Sequence, residues 1–246
     1  MKFLVCISKA PDTTSRIAFT EGDTQFDANG VQFIVNPYDE WYALVRALEL
    51  KEQNGGSVTT LTVGQADCDP VIRKALAIGA DDAIRIDAKP QDAMQVATLI
   101  AEHARQGGYD VILCGKETID HNGSVVGGML AELIDAPFIS LATSLEVEGN
   151  SVKAKREASG GLERVEANVP VVVSASKGMA EQRIPNMRGI MAARTKPLNV
   201  VSAEAVVQSA SVTKFELPPA KGDCKIVSAD QPEELVRLLR EEAKIL

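Results

Sequence analysis

The sequence predicts an α/β protein with a doubly wound, mostly parallel sheet, a β-rich extension and a C-terminal arm. In the first half of the chain, short aliphatic runs alternate with amphipathic segments of helical period. Strands separated by helices of this length pair in parallel and carry helices on both faces of the sheet. From about residue 140 the alternation gives way to consecutive strand-like segments.

The composition is typical of a folded domain. The 246 residues are 45% hydrophobic and 24% charged, and only 4% are aromatic, so we expect an aliphatic core. A net charge of -8 argues against nucleic-acid binding, because a phosphate backbone selects clustered positive charge. No apolar run approaches the roughly 18 residues of a membrane helix, and the first one is short for a signal peptide. We therefore expect a cytoplasmic protein without membrane insertion.

The strands and helices of the first half follow from their local patterns. The predicted strands are residues 3–8, 58–64, 83–87 and 110–115. The predicted helices begin at Asn36, at Asp69, near residue 91 and near Asn122. Asn36 is expected to cap its helix with Pro37 at the first helical position, because both residue types are favoured there. Gly79 is expected to end the second helix.

The second half of the sequence predicts a β-rich extension that is followed by a C-terminal arm. Turns at Gly149-Asn150 and Gly160-Gly161 separate strand-like segments, and residues 169–175 (VPVVVSA) are apolar enough for a strand buried on both faces. We expect residues 1–200 to form one nucleotide-binding domain. Residues 201–246 are expected to form an arm whose last helix, from about residue 230, must dock its leucines on this chain or on a partner.

One crevice is the expected ligand site. Open parallel sheets bind ligands beyond the carboxyl ends of their strands. This places residues 6–9, which begin with Cys6, together with residues 36–39, residues 63–64 and the 115–127 loop. A glycine-containing loop that opens a helix presents free N–H groups to an anion, although a capped helix with small packing residues fits as well. No P-loop, G-x-G-x-x-G motif, catalytic triad or metal cluster is present in the sequence, which favours nucleotide binding without chemistry on the nucleotide.

Three passages resemble the β subunit of electron transfer flavoprotein. They are REASGGLERVEANVPVVVSA (156–175), NPYDEWYALVRALELKE (36–52) and LCGKETIDHNGSVVGGMLAELIDAP (113–137). The first is similar to the signature of that family, and the other two are similar to its nucleotide-binding segments. The resemblance implies a Rossmann-like domain of the adenine nucleotide alpha hydrolase-like type. It also implies a heterodimer in which the α subunit carries the redox FAD and the β subunit holds a buried AMP.

The resemblance also implies which residues bind the nucleotide. The implied AMP pocket consists of Cys6, Asn36, Pro37, Tyr38, Asp39, Val63, Gly115, Asp120, Asn122, Gly123, Ser124, Val125, Val126 and Gly127. Tyr38 also stands where the family often has an aromatic residue near the dimethylbenzene edge of the flavin. Alternatively, Tyr38 is a residue at a helix N-terminus that packs against the strand ends.

Segment 180–197 (AEQRIPNMRGIMAARTKP) carries both basic and apolar side chains. It resembles the recognition loop with which the family binds partner dehydrogenases. Ile184 stands where the family usually has an anchoring leucine, and Pro185, Met187 and Arg188 follow it. An apolar side chain that enters a partner's pocket supplies binding energy, while surrounding cations steer the encounter. We expect Ile190 and Met191 to begin a helix that is buried against the domain.

Three functions are compatible with the sequence. The first is an electron carrier that links flavin dehydrogenases, such as the acyl-CoA dehydrogenase of fatty acid β-oxidation, to a quinone oxidoreductase through the FAD of the α subunit. The second is an electron-bifurcating flavoprotein that holds a second FAD in place of AMP and oxidises NADH. The third is a nucleotide-binding domain of the universal-stress type, which needs neither the long β region nor the arm.

Overall fold

The computed structural model describes residues 1–206 and 208–246. Its strands are β1 Lys2–Cys6, β2 Lys9–Pro11, β3 Phe19–Thr20, β4 Gln25–Phe26, β5 Phe33–Val35, β6 Ser57–Val63, β7 Asp82–Asp87, β8 Val111–Gly115, β9 Phe138–Glu148, β10 Ser151–Ala158, β11 Gly161–Asn168, β12 Val171–Ala175 and β13 Leu198–Ser202. Its helices are α1 Asp39–Asn54, α2 Asp69–Ile78, α3 Ala93–Gly107, α4 Val126–Leu133, α5 Met187–Ala193 and α6 Pro232–Glu241.

Nine strands form one sheet in the order β11-β10-β9-β12-β8-β1-β6-β7-β13. Every neighbouring pair from β9 to β13 in this order is parallel, whereas β10 pairs antiparallel with both β9 and β11. The predicted doubly wound, mostly parallel sheet with a β-rich extension is therefore confirmed. The edge strand β13 was not predicted from the sequence.

The core is aliphatic and lies on both faces of the sheet. Alternate residues of a strand point to opposite faces, so Leu113 of β8 packs with α1 and α2, and Ile112 packs with α3 and α4. On the first face Leu44 and Leu76 are fully buried, and on the second face Leu130 is fully buried. Helices cover both faces of the parallel part of the sheet, whereas most residues of β11 are exposed.

Helix α1 begins later than the sequence suggested. Its first residue is Asp39, and Tyr38 holds the cap position without a side-chain hydrogen bond, so the prediction that Asn36 caps the helix at Pro37 is wrong. The Asn36 side chain is fully buried and bonds to the loop after β8 instead. A buried amide that finds partners elsewhere in the fold has no free oxygen for capping.

The helix expected near Asn122 also begins later, at Val126. Asn122 and Ser124 have φ values of +47° and +54°, in the left-handed region. Residues in this region end or precede an α-helix rather than extend it. The segment from residue 116 to residue 125 is therefore a loop, and the helix-opening role passes to Val125 and Val126.

Helix α5 packs on α2 through a glycine. A Cβ atom on Gly189 would lie 2.4 Å from the backbone oxygen of Ala77. Ala193, one turn later, is buried on the same face. Ile190 and Met191 are 40% and 56% exposed, so the expectation that they are buried is wrong. The contact between α2 and α5 is too close for large side chains, which are left on the outer faces of α5.

The segment after β13 is mostly exposed. Phe215 stacks on Phe19 with ring centroids 5.0 Å apart, and Leu238 of α6 is buried while Leu235 is 47% exposed. Strand β13 crosses the predicted boundary at residue 200, and the division into a domain and an arm stays a prediction. In residues 1–206 and 208–246, no helix combines the length and the apolar character needed to cross a membrane.

We predict that Gly189→Ala destabilises the chain by about 1–3 kcal/mol, because the new methyl group must push α5 away from the Ala77 carbonyl. Urea unfolding measures the change in free energy. Gly161→Ala is the matched control, since a Cβ there meets no atom within 4 Å and the residue needs no left-handed conformation. Equal effects of the two substitutions would contradict the close packing of α5 on α2.

Candidate functional site

The sequence-predicted site residues meet at the carboxyl edge of the sheet. Cys6, Val63 and Gly115 are the last residues of β1, β6 and β8, which are neighbours in the sheet. Helix α1 begins beside them, because a Cβ on Gly115 would lie 2.8 Å from Cγ of Glu40 and 3.1 Å from Cβ of Asp39. The absence of a side chain at Gly115 lets the first turn of α1 approach the end of β8.

A buried amide fixes the loop of residues 116–125. Asn36 Nδ2 donates a hydrogen bond to the backbone oxygen of Glu117 at 2.9 Å, and its Oδ1 accepts one from the Ile119 N–H at 3.1 Å. At the start of the loop, the Lys116 N–H donates to the backbone oxygen of Ala175 at 2.9 Å. The loop is thus attached both to the segment before α1 and to the end of β12.

The loop ends at the N-terminus of α4, which has no side-chain cap. Val125 occupies the cap position, and the first backbone bond of the helix runs from the Met129 N–H to its oxygen. The N–H groups of the first helical residues have no acceptor within a helix, and the helix dipole makes this end positive. Ser124 just before it donates its hydroxyl to the Glu117 carboxylate at 3.0 Å. This helix end can bind an anion.

Two buried carboxyl groups border the crevice. Burial raises the pKa of Asp39 to about 6, although nearby Lys116 opposes the shift. Burial also raises the pKa of Glu40 to about 8, even though its carboxylate accepts a hydrogen bond from the Ser8 N–H at 2.9 Å. At neutral pH Glu40 therefore holds a proton in most molecules and can donate as well as accept a hydrogen bond. Local sequence does not indicate this burial, because acids in a first helical turn are usually exposed.

A buried arginine supports the end of β6. Arg85 of β7 donates from Nη1 to the backbone oxygen of Gly64 at 2.9 Å, and its Nε lies 2.9 Å from Oδ1 of Asp69. Arg85 also pairs with Asp87. Sequence reasoning missed this residue, and its signal was a charged residue inside the apolar run AIRID. The arginine fixes the backbone next to Val63.

Several loop residues remain accessible from solvent. Tyr38 is 54% exposed, directly before α1. Asn122 and Gly123 are exposed at the tip of the loop, and Val125 is 41% exposed. The side chain of Asp120 is one-quarter exposed, and its carboxylate lies 3.7 Å from Nε2 of the exposed His121. The predicted residues therefore form a partly exposed candidate site at the carboxyl edge of the sheet, where a ligand crevice is expected.

A second candidate site lies on the segment of residues 180–197. Ile184 and Met187 are 80% and 72% exposed, Arg188 is exposed and Pro185 is half-buried. A concavity of 360 Å³ lies beside them, between this segment and the end of α2, and Lys196 contributes to its lining. Exposed apolar side chains with neighbouring cations are suited to contact with a protein surface. The crevice and this surface are two separate candidate sites.

Comparison with known proteins identifies the family. Residues 23–206 match the family model described as the electron transfer flavoprotein domain. The chain is 35% identical to the electron transfer flavoprotein subunit beta of Bacillus subtilis, with all of both chains aligned. It is 34% identical to the protein of that name from Syntrophomonas wolfei, over 95% of this chain and 92% of the relative. It is 31% identical to the human protein of that name, over 100% and 99%. The chain therefore belongs to the electron transfer flavoprotein β-subunit family.

Proposed function

We propose that this chain is the β subunit of a cytoplasmic heterodimeric electron transfer flavoprotein that binds AMP and docks partner dehydrogenases. The FAD held by the α subunit carries electrons from these dehydrogenases to a quinone oxidoreductase. The observation that carries the proposal is the crevice, where the uncapped start of α4, the loop fixed by Asn36 and the ends of three parallel strands meet. Family membership supports the electron-carrier role.

The crevice residues fit an adenine nucleotide. The N–H groups at the start of α4, at Val126 and Gly127, suit the phosphate. Asp39 and the protonated Glu40 suit hydroxyl and amino groups, since they accept and donate hydrogen bonds. Cys6 and Val63 offer a buried apolar surface for the base. The acids are unsuitable next to a phosphate, so the phosphate belongs at the helix end and the rest of the nucleotide near α1.

In this proposal the chain contributes binding and orientation rather than bond making. The flavin, when bound in the heterodimer, supplies the electron transfer itself. Tyr38 is exposed before α1 and is proposed to lie near the flavin ring. The partly exposed leucines of α6 are proposed to dock on the α subunit, because an amphipathic helix on an exposed segment needs an apolar surface.

A second FAD in the crevice is the alternative within the same family. The uncapped helix and the buried carboxyl groups suit the adenosine part of FAD equally. Under this alternative, the complex is an electron-bifurcating enzyme that oxidises NADH. The two forms differ in the number of flavins per complex.

We expect the purified αβ complex to release one FAD and one AMP per heterodimer when it is denatured. Chromatography of the released cofactors measures both quantities. Two FAD without AMP would support the bifurcating alternative, and one FAD without any second adenine nucleotide would overturn the proposed crevice. Loss of AMP in Asn36→Ala, with FAD retained and Asn29→Ala unaffected, links the nucleotide to the loop, because the Asn36 side chain is bonded to that loop and Asn29 is exposed elsewhere.

We predict that Ile184→Ala lowers kcat/KM for reduction by a partner dehydrogenase about tenfold or more, because truncation of an apolar anchor removes its burial in the complex. Stopped-flow reduction of the complex measures this change. Cofactor content and thermal stability should remain those of the wild type, since Ile184 is 80% exposed. Leu162→Ala, which is 67% exposed at the far edge of the sheet, is the control. Unchanged kinetics in Ile184→Ala would refute the docking role.

We predict that Glu40 makes the nucleotide-free complex less stable as pH rises. Its pKa is about 8 in the folded chain against an ordinary value of 4.5, so the folded state holds a proton that the unfolded state has released. This contribution to stability is complete below about pH 4.5 and is lost as pH rises through about 8. Glu40→Gln should therefore gain about 3 kcal/mol relative to wild type between pH 5.5 and pH 9.

Urea unfolding across that pH range measures the difference between Glu40→Gln and wild type. Glu132→Gln removes an exposed carboxyl group from α4 and is expected to follow the wild-type curve. A constant difference between Glu40→Gln and wild type at all pH values would contradict the raised pKa.

A further inference from the structure

The residue before Ile184 is attached to α1 at two points. The Arg183 guanidinium forms a bidentate ion pair with the Glu52 carboxylate, with Nη1–Oε1 and Nη2–Oε2 distances of 2.7 and 3.1 Å. The indole N–H of Trp41 donates a hydrogen bond to the backbone oxygen of Arg183 at 3.2 Å. One residue is thus held both by its side chain and by its main chain.

The two attachment points lie on one face of a single helix. Trp41 and Glu52 are eleven residues apart in α1, which is about three turns or roughly 16 Å along the axis. The Arg183 side chain therefore runs along α1 between them. Trp41 is itself only 6% exposed, and Lys74 of α2 covers its ring at 4.8 Å. The backbone oxygen of Arg183 is therefore bonded to an indole N–H whose position is fixed by the packing of Trp41.

The chain is also fixed on the other side of Ile184. Asn186 caps α5, because its Oδ1 accepts a hydrogen bond from the Gly189 N–H at 2.8 Å. Arg73 of α2 donates to the backbone oxygens of Ala193 and Lys196, at 2.8 and 2.7 Å. Only Ile184 and Pro185 lie between the two fixed parts, and proline has little freedom in φ. The 80% exposed Ile184 side chain stands on a backbone that is held at both ends.

This arrangement affects docking through conformational entropy. A binding loop that is mobile before association must be ordered by the partner, and the apparent affinity falls with the fraction of molecules in the competent conformation. An exposed ion pair alone contributes little, but two parallel bonds and a second attachment restrict the same residue. The ion pair with Glu52 also neutralises the charge of Arg183. Arg183 therefore acts mainly by ordering the loop rather than by attracting a partner. Arg188 and Arg194 remain as exposed cations for the steering of a partner.

We propose that Arg183, Glu52 and Trp41 are positioning residues that hold Ile184 in the conformation in which a partner dehydrogenase binds it. This inference rests on the proposed docking function of segment 180–197. Ile184 makes the contact, and the three positioning residues determine how often it is presented correctly. Arg183 beside Glu52 also lowers the pKa of the Glu52 carboxyl group.

The test compares single-residue variants of this chain within the whole αβ complex. Glu52→Gln is expected to lower kcat/KM with the partner dehydrogenase about two- to fivefold and to speed hydrogen exchange in residues 183–187. Trp41→Phe, which keeps the aromatic packing and removes the N–H, is expected to change both quantities in the same direction. Glu49→Gln is the matched control, because it removes the same charge one turn earlier in α1, where the carboxylate pairs with Arg46.

A charge swap provides the second readout. The double variant Glu52→Arg with Arg183→Glu restores the pair with its charges reversed, and we expect kcat/KM and hydrogen exchange to return to within about twofold of wild type. The proposal is overturned if Glu49→Gln has the same effect as Glu52→Gln, if exchange in residues 183–187 does not change, or if the swap fails to restore either quantity.

The outcome also separates this inference from the docking function. If Ile184→Ala slows reduction and Glu52→Gln does not, the docking function stands and the positioning role is wrong. If Ile184→Ala has no effect, the docking function fails, and the positioning role fails with it.

Discussion

The fully buried amide of Asn36 is the contact on which the candidate nucleotide site depends. A loop without regular structure has backbone N–H and C=O groups that need partners when water is excluded. Asn36 supplies one donor and one acceptor to two such groups, at Glu117 and Ile119. Loss of one buried polar partner costs about 1–3 kcal/mol. Because this cost falls on the loop itself, the amide fixes the path of the backbone that leads into α4.

The order of strands and helices could be predicted from the sequence because it depends on local patterns. Aliphatic runs, helical periodicity and turn residues located every strand of the central sheet except β13. That strand, LNVVS, lies at the sheet edge with one neighbour, and Val200 is 53% exposed. A half-exposed edge strand lacks the continuous apolar run of a central strand. The same local reasoning could not reach contacts between distant parts of the chain.

Asn36 shows why the helix starts were misplaced. An Asn-Pro pair before acids and an apolar face is a common helix start, but the amide is satisfied by residues 81 and 83 positions away. At Asn122 and Ser124, left-handed backbone conformations delay α4, and nothing in their local sequence requires them. The resemblance to a family supplied most of the site residues. It did not supply Glu40 or Arg85, whose roles depend on burial.

The two candidate sites differ in how order is achieved. At the nucleotide site, the buried side chains of Asn36 and Glu40 are held by hydrogen bonds to backbone groups of the fold. On the proposed docking surface, the Ile184 side chain must stay exposed, so burial cannot fix its position. Order there comes from attachments on either side of Ile184. An apolar residue can remain in water and still occupy a defined position, provided that its backbone is held by groups that are themselves packed.

Helix α1 connects these two kinds of order. Its first turn carries Asp39 and Glu40 into the crevice, and the next residue, Trp41, holds the carbonyl of Arg183. A helix moves as a nearly rigid rod over this distance, because each residue is bonded to the next turn. Any shift of the first turn of α1 against Gly115 must therefore also move the Trp41 donor that holds segment 180–197. The close approach permitted by Gly115 thus contributes to the geometry of both sites, although it lies next to only one of them.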